Sequence, residues 1–138
     1  MYTKINEKDS IMKLGAIYSK EKTTFTLFSP VADSVFVIFY DKGNDSTETG
    51  RLEMMRGEGE LRSIFSATAE GNLDGVYYTY EVHTADCTFS SHDPYARACG
   101  VNGHRSMVID LSKTDPDGFA DEDRPKLADP MSMVITEV

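Results

Sequence analysis

Few side chains here have the types and spacing for covalent chemistry. Ser91, His92 and Asp93 stand in a row. These are the residue types of an acyl-transfer triad, but a triad gathers hydroxyl, imidazole and carboxylate from separate positions into one line. Neighbours on an extended chain point to alternate faces, so the row reads as a polar strand end. His83, His92 and His104 share no i, i+2 or i, i+4 spacing, so zinc is not expected. Asp115-Pro116-Asp117-Gly118 opens like a calcium loop, yet its twelfth position is Lys126 rather than glutamate. No metal and no other cofactor is expected. Glycoside hydrolysis needs two carboxyl groups about 5–10 Å apart. Nothing marks such a pair, and Asp121, Glu122 and Asp123 form a charge run of the kind that lies solvated. Cys87 and Cys99 fit neither a zinc knuckle nor a Cys-x-x-Cys redox motif. They are expected to be reduced, partly buried thiols.

Binding is the chemistry left open. The chain has 138 residues, with 23 acidic against 14 basic side chains and a net charge of −9. Nucleic acid and anionic membrane both require clustered Lys and Arg, so neither is an expected partner. A neutral ligand such as a sugar is compatible with this charge. Sugars stack their flat apolar faces on aromatic rings, and Tyr40, Tyr77, Tyr78, Tyr80 and Phe89 are candidate platforms. Aromatics in strands more commonly fill a core, and there is no tryptophan.

The elements that must position these side chains are strands. A period of two dominates at 24–28 (TFTLF), 34–40 (SVFVIFY), 61–68 (LRSIFSAT), 76–82 (VYYTYEV), 87–90 (CTFS) and 107–111 (MVIDL). Turn chemistry separates them at Ser29-Pro30, 41–45, 57–59, Asp74-Gly75 and Asn102-Gly103. Short strands at such spacing predict an all-β, immunoglobulin-like antiparallel β-sandwich. The strand at 34–40 is apolar on both faces, which predicts that something packs outside the sandwich. Residues 112–130 are polar, acidic and carry three prolines, and so read as a linker. The apolar run 131–138 then begins something new. The first residues have no apolar run of a signal peptide, and no stretch reaches the roughly 20 apolar residues that span a bilayer. A cytoplasmic monomer is expected, with a secreted parent as the alternative if the chain is a piece of a longer protein.

Four segments carry a family resemblance. Residues 14–41 (LGAIYSKEKTTFTLFSPVADSVFVIFYD) resemble the opening of the N-terminal domain of type I pullulanases. Residues 71–82 (GNLDGVYYTYEV) are similar to its Gly-x-Tyr-Tyr-x-Tyr strand, and 92–111 (HDPYARACGVNGHRSMVIDL) to its Asp-Pro-Tyr-Ala segment and Val-Asn-Gly turn. Residues 134–138 (VITEV) are similar to the first barrel strand. The resemblance implies a family 48 carbohydrate-binding module, an early-set immunoglobulin-like domain preceding an α-amylase-type barrel. That implies an N-terminal extension at 1–12, the sandwich at 13–111, the linker at 112–130 and, at 131–138, the first strand of a (β/α)8 barrel. The chain departs from the pattern at Phe28 and near Phe65, where the family often has Trp, and at Thr136, where it has Tyr.

A barrel needs about 250 residues, so no catalytic residue is carried over and this chain by itself is not expected to be an enzyme. The resemblance implies a non-catalytic accessory or α-glucan-binding module of a debranching hydrolase acting on α-1,6 bonds. Its partners would be its own catalytic barrel and, weakly, α-glucan. Phe89 lies near a sugar-stacking tryptophan of glycogen-binding relatives and Thr79 near a sugar-contacting lysine. With Tyr40 they are the expected carbohydrate contacts. No equivalent stands for those relatives' other stacking Trp. Asp93, Pro94 and Tyr95 are expected at the contact between module and barrel. The alternative is a stand-alone immunoglobulin-like domain that binds a protein by edge-strand pairing.

Overall fold

The computed structural model describes residues 13–123 and, beyond them, 126, 129, 131, 133, 134, 136 and 137. The extension expected at 1–12 lies outside the described residues, as do parts of 112–130 and 131–138. Among the described residues ten strands follow one another: β1 Gly15–Tyr18, β2 Lys22–Phe28, β3 Ser34–Tyr40, β4 Glu48–Glu53, β5 Met55–Arg56, β6 Ile64–Glu70, β7 Tyr77–His83, β8 Thr88–Ser91, β9 Ala98–Cys99 and β10 Ser106–Met107. They form two antiparallel sheets. One has four strands in the order β1-β2-β6-β5. The other has six, in the order β4-β3-β7-β10-β9, with β8 beside the second half of β7. The fold is an immunoglobulin-like β-sandwich.

Alternation explains the layers. In β2, Thr23, Phe25 and Leu27 point inward. In β3, Val35 and Val37 do so, opposite Val82 and Tyr80 of β7. Phe25, Val35, Val37, Phe65, Tyr78, Tyr80 and Val108 are all under 2% exposed and form the centre of the core. Each such aliphatic or Phe side chain contributes about 1.5–3 kcal/mol by leaving water. The rings meet edge to face, Phe25 on Tyr78 at 5.0 Å and Tyr78 on Tyr80 at 5.8 Å, as their quadrupoles favour.

The outer face of β3 is covered by the chain itself. Ile38 is 3% exposed although it points away from the core. The Arg51 guanidinium lies 5.7 Å from the Phe36 ring centroid, and the His83 ring meets Phe36 at 5.4 Å. The Arg105 guanidinium sits 3.6 Å over Tyr40. The doubly apolar pattern therefore reflects cations and an imidazole laid over one face, and it does not require a body packed outside.

Four strands have no counterpart in the sequence reading: β1, β4, β5 and β9. The expected strand 107–111 is also shorter. Only Ser106 and Met107 are paired to β7 and β9. The Asp110 amide donates to Asp74 Oδ1 at 2.8 Å, which draws the chain off the sheet, and Leu111–Lys113 turns into a short 3-10 helix. Cys87 and Cys99 are free and both exposed. The expectation of partly buried thiols fails because each lies at the margin of the six-stranded sheet, Cys87 just before β8 and Cys99 on the outermost strand β9.

Candidate functional site

The corner that follows β8 is built on a buried carboxylate. Asp93 is 2% exposed. Its Oδ2 accepts the Tyr78 hydroxyl at 2.7 Å and the Tyr80 hydroxyl at 3.1 Å. Its Oδ1 accepts the Tyr95 amide at 2.8 Å, two residues on, as a short Asp side chain does in a turn. Its own amide donates to Ser106 Oγ at 2.8 Å. The tyrosine hydroxyls are held well above their ordinary range, first by burial and then by the negative charge of Asp93. The carboxylate is thus committed to the fold. Of the three residues expected at a domain joint, Asp93 is the inward anchor, while Pro94 and Tyr95 are exposed. Ser91 is not aligned with His92 for catalysis, because its hydroxyl donates to the His92 carbonyl at 3.0 Å.

The three expected sugar contacts do not share one surface. Phe89 pairs with Val82, which is core-facing, so its ring lies on the inner side of the edge strand β8. There it is 46% exposed and borders a cleft of about 160 Å3 with Leu27, Phe28, Val82 and Pro94. Thr79 points the other way. It is 5% exposed, and its Oγ1 lies 3.3 Å from the Tyr40 hydroxyl. It forms the floor of a polar cleft of about 410 Å3 walled by Ser90, Ser91, His92, Asn102 and His104. Tyr40 is half-buried, with one ring face occupied by Arg105. Arg105 also donates to the Lys42 carbonyl at 2.7 Å and to Ser46 Oγ at 2.8 Å. This draws the β3–β4 loop onto the β9–β10 loop. A Cβ at Gly100 would stand 2.6 Å from Gly43 Cα, so the two backbones touch.

The family model for Carbohydrate-binding module 48 (Isoamylase N-terminal domain) matches residues 13–96. The chain belongs to this family. Among curated relatives, this family 48 module is 31% identical over 116 residues to Pullulanase A of Streptococcus pneumoniae, covering 79% of this chain and 9% of that protein. It is 30% identical over 98 residues to a pullulanase of Bacillus subtilis, covering 70% of this chain and 13% of that protein. Solved structures agree. The pullulanase of Bacillus acidopullulyticus aligns with a TM-score of 0.75 at 35% identity, over 86% of this chain and 14% of that one. The pullulanase of Paenibacillus barengoltzii in complex with maltohexaose and α-cyclodextrin aligns at 0.77 and 34%, over 86% and 18%. The chain therefore spans roughly a tenth to a fifth of its relatives' lengths.

Two features of the module escaped sequence reasoning. Phe28 is 54% exposed across the edge cleft from Phe89. The other is a charged clasp where the chain leaves the sandwich. Lys113 Nζ donates to Asp74 Oδ2 at 2.6 Å and lies 3.7 Å from Asp110. The Asp74 carboxyl is held below its ordinary range by the Lys113 hydrogen bond and by the Asp110 amide. The Asp110 carboxyl is held down chiefly by the Ser112 hydroxyl. An Asp-Gly turn followed tens of residues later by Asp-Leu-Ser-Lys gives no local signal of this pairing.

Proposed function

We propose that the chain is the non-catalytic accessory module of a pullulanase-type glycoside hydrolase acting on α-1,6 bonds of pullulan, starch or glycogen. The single observation that carries this reading is the alignment of 86% of the chain to pullulanase structures at 34–35% identity. One of those pullulanases is seen in complex with maltohexaose and α-cyclodextrin, and α-glucan is accordingly the ligand class assigned here. The sandwich occupies 13–111, a linker 112–130, and the first barrel strand 131–138. Phe89 stacks on glucan at the β8 edge, facing Phe28, while Thr79 and Tyr40 back the polar cleft of the outer face. Asp93 sets the angle at which Pro94 and Tyr95 meet the barrel.

The test joins activity to binding. Reducing ends should be released from pullulan by the complete protein and not by this chain alone. Turnover by this chain, or none by the complete protein, sinks the reading. Glucan contact is checked by electrophoresis through glycogen. Retardation lost on Phe89→Ala supports the edge site, and free migration at high polymer concentration removes it.

A further inference from the structure

We infer that the groove between β1 and the departing segment 109–112 is the seat of the domain that follows the linker. This rests on the reading above that a catalytic barrel follows. The groove encloses about 290 Å3. One wall is β1, an edge strand of the four-stranded sheet, whose outer backbone side has no strand partner among the described residues. The opposite wall is Ile109 and Leu111. Ile17 and Leu111 are 36% and 44% exposed, an apolar pair that water meets directly.

The joint proposed at the Asp-Pro-Tyr corner adjoins this groove through β1. Gly15, the first residue of β1, is buried at φ +89°, and a Cβ there would stand 2.9 Å from Tyr95 Cβ. Tyr95 therefore lies over the start of β1, and it is 51% exposed. Arg97, two residues on, lines the groove with Lys13. A chain with a net charge of −9 thus presents two cations at this apolar rim, where the Asp110 carboxylate is already taken up by Ser112. The occupant that fits is a folded surface with an apolar centre flanked by carboxylates.

The exit geometry names which body that is. Leu111 belongs to the 3-10 turn that Asp110, Asp74 and Lys113 clasp to the sandwich. The groove wall is therefore held to the sandwich at the point where the chain turns into the linker. A domain tethered by a linker of this kind is present at an effective concentration in the millimolar range. Against that concentration, a small apolar groove suffices to hold it.

The test uses the complete protein. Ile17→Asp with Leu111→Asp should speed protease cleavage within 112–130 at least tenfold, while Met55→Asp, on the opposite edge strand, leaves the rate unchanged. Arg97→Glu, which deletes no apolar contact, should act in the same direction. Unchanged cleavage in a protein that still hydrolyses pullulan overturns this inference alone. A complete protein without pullulan hydrolysis overturns the proposed function and this inference with it. A dimer that Leu111→Asp separates also overturns it, since a second copy would then fill the groove.

Discussion

The two faces of the six-stranded sheet handle polarity in opposite ways. On the inner face, Tyr78 and Tyr80 carry their hydroxyls into the core and converge on one carboxylate, Asp93. On the outer face, Phe36 and Tyr40 of the neighbouring strand β3 are the rings, and Arg51, His83 and Arg105 lie against them. Inside, a charge is imported to satisfy hydroxyls. Outside, charges with long stems roof over rings while their heads stay near water. The difference teaches where rigidity comes from. The inner hub tolerates no loss, because a buried donor without an acceptor costs its full desolvation. The outer roof is a set of weaker, partly solvated contacts.

Asp93→Ala is the largest expected break of that contrast. It leaves two buried hydroxyls without their acceptor and frees the Tyr95 amide. A loss of about 3 kcal/mol is expected, read as a lowered urea midpoint. Asp93→Asn, which keeps an acceptor, should lose markedly less. Equal losses in both would mean that volume, not hydrogen bonding, is what the hub supplies.

The same hub fixes the alkaline limit. Both tyrosine hydroxyls have folded-state pKa values raised above the ordinary 10.0, by burial and then by Asp93. Their stabilising contribution is therefore complete below pH 10 and is lost as pH rises past it. Comparing urea midpoints at about pH 8 and about pH 11 should show a fall that Tyr78→Phe with Tyr80→Phe reduces. A fall of equal size in the double variant would assign alkaline unfolding to other groups.

The same contrast separates what the sequence discloses from what it hides. Ser34–Tyr40 was readable as a strand because it is long and rich in β-branched and aromatic residues, and its bounds agree with β3. Gly15–Tyr18 is only four residues long and Glu48–Glu53 is mostly polar, and they become strands because β2 and β3 lie beside them. The Asp-Pro-Tyr corner was legible as a corner, since Pro94 restrains the chain before it. That Asp93 faces inward depends on tyrosines 13 and 15 residues away. Likewise Tyr40 looked like an open platform, because nothing local announces an arginine on a distant loop.

Arg105→Ala tests the outer roof. It removes a cation from the face of Tyr40 and the ties to Lys42 and Ser46. A cation–π contact of this kind is worth roughly 0.5–2 kcal/mol, and a total loss of about 1–2 kcal/mol is expected, below that of Asp93→Ala. Arg105→Lys should recover only part, since an ammonium cannot lie flat on the ring and reach two acceptors. A loss above that of Asp93→Ala would reverse the ranking of the two faces.

The smallest effect should come with the opposite sign. Thr23 is fully buried on the inner side of β2, and among the described residues its Oγ1 is the one buried side-chain polar atom without a hydrogen-bond partner. It is the counterexample to Asp93: a polar group in the same core for which no acceptor or donor was brought in. Val has nearly the same shape and the same preference for a strand. Thr23→Val therefore removes an unmet desolvation cost and leaves the packing of Phe25 and Leu27 alone. A gain of about 1 kcal/mol is expected, seen as a raised urea midpoint with an unchanged slope. A loss instead would mean that the hydroxyl finds a partner in solution, a bound water being the simplest. In that case the inner face satisfies its polar groups at both ends of the core, and the contrast with the roofed outer face becomes complete.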